Sequence, residues 1–260
     1  MRIFLVDAFA DAPFRGNAAA VCLPDRKLSD AWMQSLAQEM AQAETAFVQP
    51  LGDPFRLRWF TPSQEVDLCG HATLASAHIL WEESLVPAET PIAFSTNSGN
   101  LVCSRNDGRI DMDFPLEAAE PTEGQAIAEA LHEQPAWTGA NRMDWLVELP
   151  SEHLLRSLTP DFQAIARLGR RGVIVTAQAE NGADYDFVSR FFAPNAGVPE
   201  DSVTGSAHCA LGPYWAAKLG NPSLTGFQAS RRGGYVRVTV RDDHVVLSGH
   251  AVTTLRGEIE

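Results

Sequence analysis

Basic residues are scarce: Lys and Arg number 20 against 33 Asp and Glu, for a net charge of -13 and a pI near 4.9. Nucleic acid and anionic membrane surfaces attract clustered Lys and Arg, so neither is the main partner, and a small molecule or a protein remains. The four cysteines, Cys22, Cys69, Cys103 and Cys209, sit at wide, irregular spacings. That excludes a disulfide scaffold and points to free thiols in a reducing compartment. No apolar run approaches the ~20 residues that span a bilayer. The opening MRIFLVDAF lacks the basic, long-apolar and small-residue parts of a secretory signal, so a cytoplasmic location and no membrane partner are expected.

Several chemical signatures are missing as well. His71, His78, His208 and Cys209 have no compact ligand spacing, so no metal is expected. Thr204-Gly205-Ser206-Ala207-His208 is not a G-x-S-x-G elbow, and a His two residues from a Ser on a helix faces away from it. Gly16-Asn17 and Ser98-Gly99-Asn100 lack the G-x-G-x-x-G pattern of a nucleotide site.

What is present suits a sizeable core: 45% of 260 residues are hydrophobic. Alternating β-formers predict strands over 2–6 and 18–23, and Ser29 caps a helix over 30–41 with Trp32, Leu36 and Met40 on one face. Strands at 44–48 and 57–60, a turn at Cys69, a helix over 73–82, a hairpin over 92–102 and a strand over 109–114 follow. Pro115 and the acidic, proline-bearing segment 117–124 read as a crossing between lobes.

The second half replays that order. Arg58-Trp59-Phe60-x-Pro62 aligns with Arg190-Phe191-Phe192-x-Pro194, and Cys69-Gly70-His71-Ala72 then falls on Thr204-Gly205-Ser206-Ala207, after a loop three residues longer in the second copy. Residues 227–236 match 93–102, glycine on glycine. The expected fold is therefore α/β (α+β), with two pseudo-symmetric lobes over 1–116 and 117–249 and a strand at about 250–260 returning to the first. Each lobe would be a curled, mainly antiparallel sheet or barrel around one central apolar helix, because a helix apolar on every side must be buried. The two helix starts are expected to face one cleft, where unpaired N–H groups and positive dipole ends would hold a carboxylate or an enolate-like anion. Gly70 and Gly205 would let that ligand approach the backbone.

These residues resemble the PhzF-like, phenazine-biosynthesis-like family, relatives of diaminopimelate epimerase. The resemblance rests on Asp7-x-Phe9 through Gly16-Asn17, on 43–47 (AETAF), on 67–73 (DLCGHAT), on 197–208 (GVPEDSVTGSAH) and on Arg232-Gly233-Gly234, which lie along essentially the whole chain. It implies the diaminopimelate epimerase-like fold, an active site without cofactor between two lobes, and a homodimer. Epimerases of the superfamily oppose two cysteines, one at each central helix start. This chain keeps Cys69 but carries Thr204 at the second position, and a hydroxyl is far too weak an acid for thiol-type exchange. In PhzF-type isomerases the proton is moved by a glutamate matching Glu44, helped by residues matching His71, Asp201 and Ser206, in a proton relocation on a cyclic dienoic acid that uses neither metal nor coenzyme.

Residue by residue, alternatives stay open. Glu44, entering an apolar strand, would be desolvated and have its pKa raised toward neutral, or it is a solvated acid at a helix end. Its second-half counterpart near Gly172 has no acid, which favours a function. His71 near a helix start would be neutral, Cys69 would gain thiolate character if exposed, and Asp201 reads equally as a capping acid. Asn17 either aims its amide at a substrate carboxylate or stabilises its loop. The expectation is a cofactor-independent isomerase of a small carboxylic acid, with Glu44, Asp201 and His71 catalytic and with Asn17, Cys69, Gly70, Thr204, Gly205 and Ser206 binding the substrate. The alternatives are a racemase or epimerase using Cys69 and a non-catalytic small-molecule-binding protein.

Overall fold

The computed structural model describes residues 1–50 and 54–260. In chain order it contains β1 (Arg2–Ala8), β2 (Asn17–Leu23), α1 (Asp30–Met40), β3 (Glu44–Gln49), β4 (Phe55–Phe60), β5 (Glu65–Val66), α2 (Gly70–Glu82), β6 (Ile92–Thr96), β7 (Gly99–Asn106) and β8 (Arg109–Pro115). There follow β9 (Glu120–Pro121), α3 (Gln125–Leu131), β10 (Trp137–Ala140), β11 (Asp144–Glu148), α4 (Glu152–Ser157), α5 (Phe162–Ala166), β12 (Gly172–Gln178), β13 (Phe187–Ala193) and β14 (Val198–Asp201). The chain ends with α6 (Gly205–Leu219), β15 (Ser223–Gln228), β16 (Gly234–Val240), β17 (His244–Gly249) and β18 (Ala251–Glu258). Two compact units result, Met1–Asp113 with Ser248–Glu260, and Phe114–Leu247.

In the first unit β1 pairs antiparallel with β2 and β18, β2 runs parallel to β3, β3 antiparallel to β4, β4 parallel to β6, and β6, β7 and β8 form a meander. Side chains alternate across such a sheet. Ile3, Cys22, Phe47 and Phe60 therefore meet Met33 and Ala37 of α1 on one face. The opposite face receives α2, whose residues from His71 to Ala77 and then Ile79, Leu80 and Trp81 are all buried. A helix without a polar face is a core helix, and α2 packs against β1, β2, β3 and β18.

The second unit repeats the pairing order. β11 runs parallel to β12, β12 antiparallel to β13, β13 parallel to β15, and β15 antiparallel to β16, while β14 adds to β13 as β5 adds to β4. Val173 and Val175 face the cluster built by α3, α4 and α5. Ile174, between them, faces Ala207, Leu211 and Trp215 of α6. Pro213 lies inside α6, where it cannot donate to the carbonyl four residues earlier. The carbonyl of Cys209 is taken instead by the backbone N–H of Glu117 at 3.2 Å.

The repeated Arg-x-Phe element does the same work twice. Arg58 grips Glu65 through two bonds of 2.7 and 2.6 Å and lies over the Phe60 ring at 5.2 Å. Arg190 grips Glu200 at 2.7 and 3.0 Å and lies over Phe192 at 4.9 Å. Each clamp ties the loop that leads to a central helix back onto its strand.

Some elements differ from the sequence expectation. α2 begins at Gly70 and not at residue 73. β11 carries no alternating apolar pattern, because the buried acids Asp144 and Glu148 interrupt it. Arg171 and Lys218 neutralise them. Among the described residues no helix is long and apolar enough to cross a membrane.

Candidate active site

The first unit gathers four of the expected residues: Asn17, Glu44, Cys69 and His71. Asn17 opens β2, opposite Ala8 of β1. It can reach that place only because Gly16 adopts φ +63°, where a Cβ would lie 2.1 Å from the carbonyl oxygen of Ala8. Glu44 is the first residue of β3, in register with Ala19. Cys69 is the N-cap residue of α2, and Gly70 and His71 form its first turn.

His71 is the hub. Its Nε2 stands 3.1 Å from Oε2 of Glu44. Its Nδ1 lies 3.3 Å from the side-chain nitrogen of Asn17 and 3.6 Å from Sγ of Cys69. The 3.1 Å approach is off the line of a good hydrogen bond, so Glu44 Oε2 and His71 Nε2 are both buried without an aligned partner.

The electrostatics reverse three sequence expectations. Burial would raise the Glu44 carboxyl, but the charge of His71, with the nearby polar atoms of His71 and Cys69, outweighs it and holds the acid below its ordinary range. Burial would likewise lower His71, yet the adjacent Cys69 and Glu44 hold it well above its ordinary value, so the ring is not the neutral imidazole that a helix start alone suggests. Cys69 is buried, and desolvation followed by the charge of Glu44 pushes its thiol up, which removes the thiolate character expected of an exposed helix N-cap. The cluster thus favours a charged carboxylate at Glu44 and the protonated form of the His71 ring, while burial favours the neutral thiol of Cys69.

Glu44, Cys69 and His71 present ligand atoms within 4.8 Å of one another. The chain spacing of His and Cys missed this grouping, because Glu44 comes from a different strand. However, Cys69 faces Nδ1 and Glu44 faces Nε2, and the lone pairs of the two ring nitrogens diverge. As they stand the two groups meet opposite edges of the ring, an arrangement that suits hydrogen bonding through the imidazole.

In the second unit, β14 delivers Asp201 to the start of α6. Oγ1 of Thr204 donates to Oδ2 of Asp201 at 2.6 Å, so Asp201 is not the cap of the helix. Gly205 is buried and Ser206 half-buried in the first turn. Gly172 holds the position in β12 that Glu44 holds in β3, the first residue of the strand; a Cβ there would lie 2.6 Å from the Phe191 ring. Ring packing replaces the acid in this copy.

The starts of α2 and α6 differ from those of α1, α4 and α5 and share with α3 the lack of a side-chain cap. Ser29, Ser151 and Asp161 cap α1, α4 and α5 with their side chains. Cys69 and Thr204 make no such bond, which leaves the first N–H groups of α2 and α6 without a side-chain cap. Sequence reasoning missed Gln228, a fully buried polar side chain at the end of β15 that bonds Thr204. Alternation in β15 marks it as inward-facing, but nothing in the sequence says what it meets.

With this geometry in place, the comparisons with known proteins are decisive. The family described as phenazine biosynthesis-like protein (PhzC-PhzF) matches residues 6–257. The chain belongs to the phenazine biosynthesis-like family. An uncharacterized isomerase of Halalkalibacterium halodurans is 49% identical over 259 residues, covering 99% of this chain and 97% of that protein. The crystal structure of a PhzF-family phenazine biosynthesis protein from Enterococcus faecalis superposes with a TM-score of 0.95 at 38% identity, covering 100% of this chain and 98% of that one. A predicted epimerase of Pseudomonas aeruginosa superposes with a TM-score of 0.76 at 25% identity, covering 99% and 98%. Both the pseudo-symmetric α/β fold and the placement of the chain among isomerases of the phenazine biosynthesis-like family stand on these likenesses.

Proposed function

We propose that the chain relocates a proton between carbon atoms of a small carboxylic acid without a cofactor. The observation that carries this reading is the pair of half-buried Glu44 and buried His71, 3.1 Å apart, each with a buried atom that lacks an aligned hydrogen-bond partner. A buried polar atom left without an aligned partner costs about 1–3 kcal/mol, and a substrate is a natural partner for it.

Glu44 is ionised and takes the proton from substrate carbon. The imidazolium beside it weakens it as a base, and a substrate carboxylate approaching His71 competes for that charge and restores its basicity. Glu44, whose side chain is 20% exposed, exchanges that proton with solvent and delivers one to a second carbon. The uncapped first turns of α2 and α6, with Gly70, Gly205 and Ser206, and the amide of Asn17 suit a carboxylate or an enolate-like intermediate. Asp201 polarises the substrate, with Thr204 as its fixed donor. A racemase working through the Cys69 thiolate is disfavoured, because burial and Glu44 keep that thiol protonated.

Incubating candidate cyclic and amino acids with the protein in heavy water, with mass spectrometry of each acid, tests the reading. Carbon-bound deuterium is expected with the wild type and not with Glu44→Gln. Exchange that survives in that variant removes Glu44 from the mechanism, and exchange lost in Cys69→Ser but kept in Glu44→Gln would favour the racemase.

A further inference from the structure

Gln228 is 0% exposed and plays no part in the mechanism above. Its side chain has one acceptor and two donor sites. Oε1 accepts the backbone N–H of Thr204 at 2.9 Å, and Nε2 donates to the backbone carbonyl of Asp201 at 2.9 Å and to Oγ1 of Thr204 at 3.2 Å. A backbone N–H can only donate and a backbone carbonyl can only accept. The two backbone partners therefore fix which end of the amide is which, a choice that otherwise has to be assigned. Since Oγ1 of Thr204 receives an N–H from Gln228, its own proton is left for Oδ2 of Asp201, 2.6 Å away.

We infer that Gln228 is a positioning residue. By occupying the acceptor side of the Thr204 hydroxyl it commits that proton to Asp201, and so holds the carboxylate in one orientation as a hydrogen-bond acceptor. The consequence for catalysis rests on the proposed isomerase reading; the direction of the hydroxyl does not.

The first unit shows why this matters. There too an amide side chain, Asn17, supports a middle group that meets a carboxylate, but the middle group is His71. An imidazole gains and loses a proton near neutral pH and a threonine hydroxyl does not. The amide, relay and carboxylate sequence thus occurs once with a relay that exchanges protons and once with a relay that cannot. Glu44 is the proton carrier and Asp201 the fixed electrostatic partner, a division of labour set by Thr204 and enforced by Gln228.

Two measurements test this. Neutron diffraction from perdeuterated wild-type crystals is expected to show two deuterons on the side-chain nitrogen of Gln228 and the Thr204 deuteron on the line to Asp201. A reversed amide, or a Thr204 deuteron pointing at Gln228, overturns the proposal whatever reaction the protein catalyses. In the heavy-water assay, Gln228→Leu, the isosteric Gln228→Glu and Thr204→Val should each lower kcat at least ten-fold, with KM within about three-fold, while the two Gln228 variants, which also disturb the buried Thr204 N–H and Asp201 carbonyl, should melt lower than Thr204→Val at similar kcat. Thr204→Ser, which keeps the hydroxyl, should stay well above Thr204→Val. The double variant Gln228→Leu with Thr204→Val should be no worse than the poorer single one, because both remove one device. Losses that multiply, or that follow the melting temperatures, mean a structural role only and overturn the positioning role. A wild-type protein that exchanges no acid refutes the isomerase reading and the catalytic half of this inference together, while the neutron experiment still decides the hydroxyl.

Discussion

Replacing Glu44 by Gln keeps the shape of the side chain and removes the counter-ion of a buried imidazolium. At 3.1 Å, two opposite unit charges attract by about 5 kcal/mol at an effective dielectric near 20. Desolvation of the pair offsets most of that, so the pair itself adds little net stability. Breaking it is another matter, since an unpaired buried charge costs about 3–5 kcal/mol. His71 escapes part of the cost by releasing its proton, which leaves an expected loss of about 2–3 kcal/mol, or roughly 4–12 °C in Tm for a chain of this size. The pH dependence follows from the two shifts. His71 titrates above its ordinary 6.5, so its contribution is complete below 6.5 and is lost as the pH rises through the folded value. Glu44 titrates below its ordinary 4.5, so its contribution is complete above 4.5 and is lost as the pH falls through the folded value. The stability gap between wild type and Glu44→Gln should therefore be widest between pH 4.5 and 6.5 and narrow as the pH rises above 6.5 through the folded value of His71. Urea melts of both proteins across that range measure it, and NMR titration of the imidazole should show His71 of the variant losing its proton at lower pH. A gap that grows with pH, or none at pH 6, would refute the carboxylate–imidazolium assignment.

Three further outcomes are expected. All four cysteines are free and buried with thiols pushed up by desolvation, Cys22 and Cys209 to about 12, so a disulfide thiol reagent at pH 8 should label none of them rapidly in the native state and all four in denaturant. Gly16→Ala should cost at least about 2 kcal/mol in denaturant melts and impair turnover, because Gly16 sits at φ +63° with no room for a Cβ, and its strain is passed to Asn17. Burial lowers His208 from 6.5 to about 4, so wild-type stability should fall by up to about 3 kcal/mol between pH 6.5 and 4, and His208→Gln should flatten that slope; an unchanged slope would mean that another group sets it.

The duplicated order of elements could be read directly, because each copy carries its own strand-end clamp, Arg58 with Phe60 and Arg190 with Phe192, and its own glycine-bearing helix start. Local rules also located α1 through Ser29. The short strand β11 escaped such rules, since its inward acids are tolerable only beside Arg171 and Lys218, which come from distant parts of the chain. The residues of the candidate site were legible as types at positions. Their ionisation was not, and for Glu44, His71 and Cys69 the reading from local position alone had the wrong direction.

The amino-acid order thus decides which segments become strand or helix, that the pattern is used twice, and which side chains stand at the helix starts, because these depend on periodicity and on neighbours a few residues apart. Whether Glu44 holds a proton, and where the Thr204 hydroxyl points, depends on groups tens of residues away in the chain that folding brings to within about 3 Å, as His71 is to Glu44 and Gln228 to Thr204. Charge interactions and desolvation change steeply over that distance, so only the folded chain decides them.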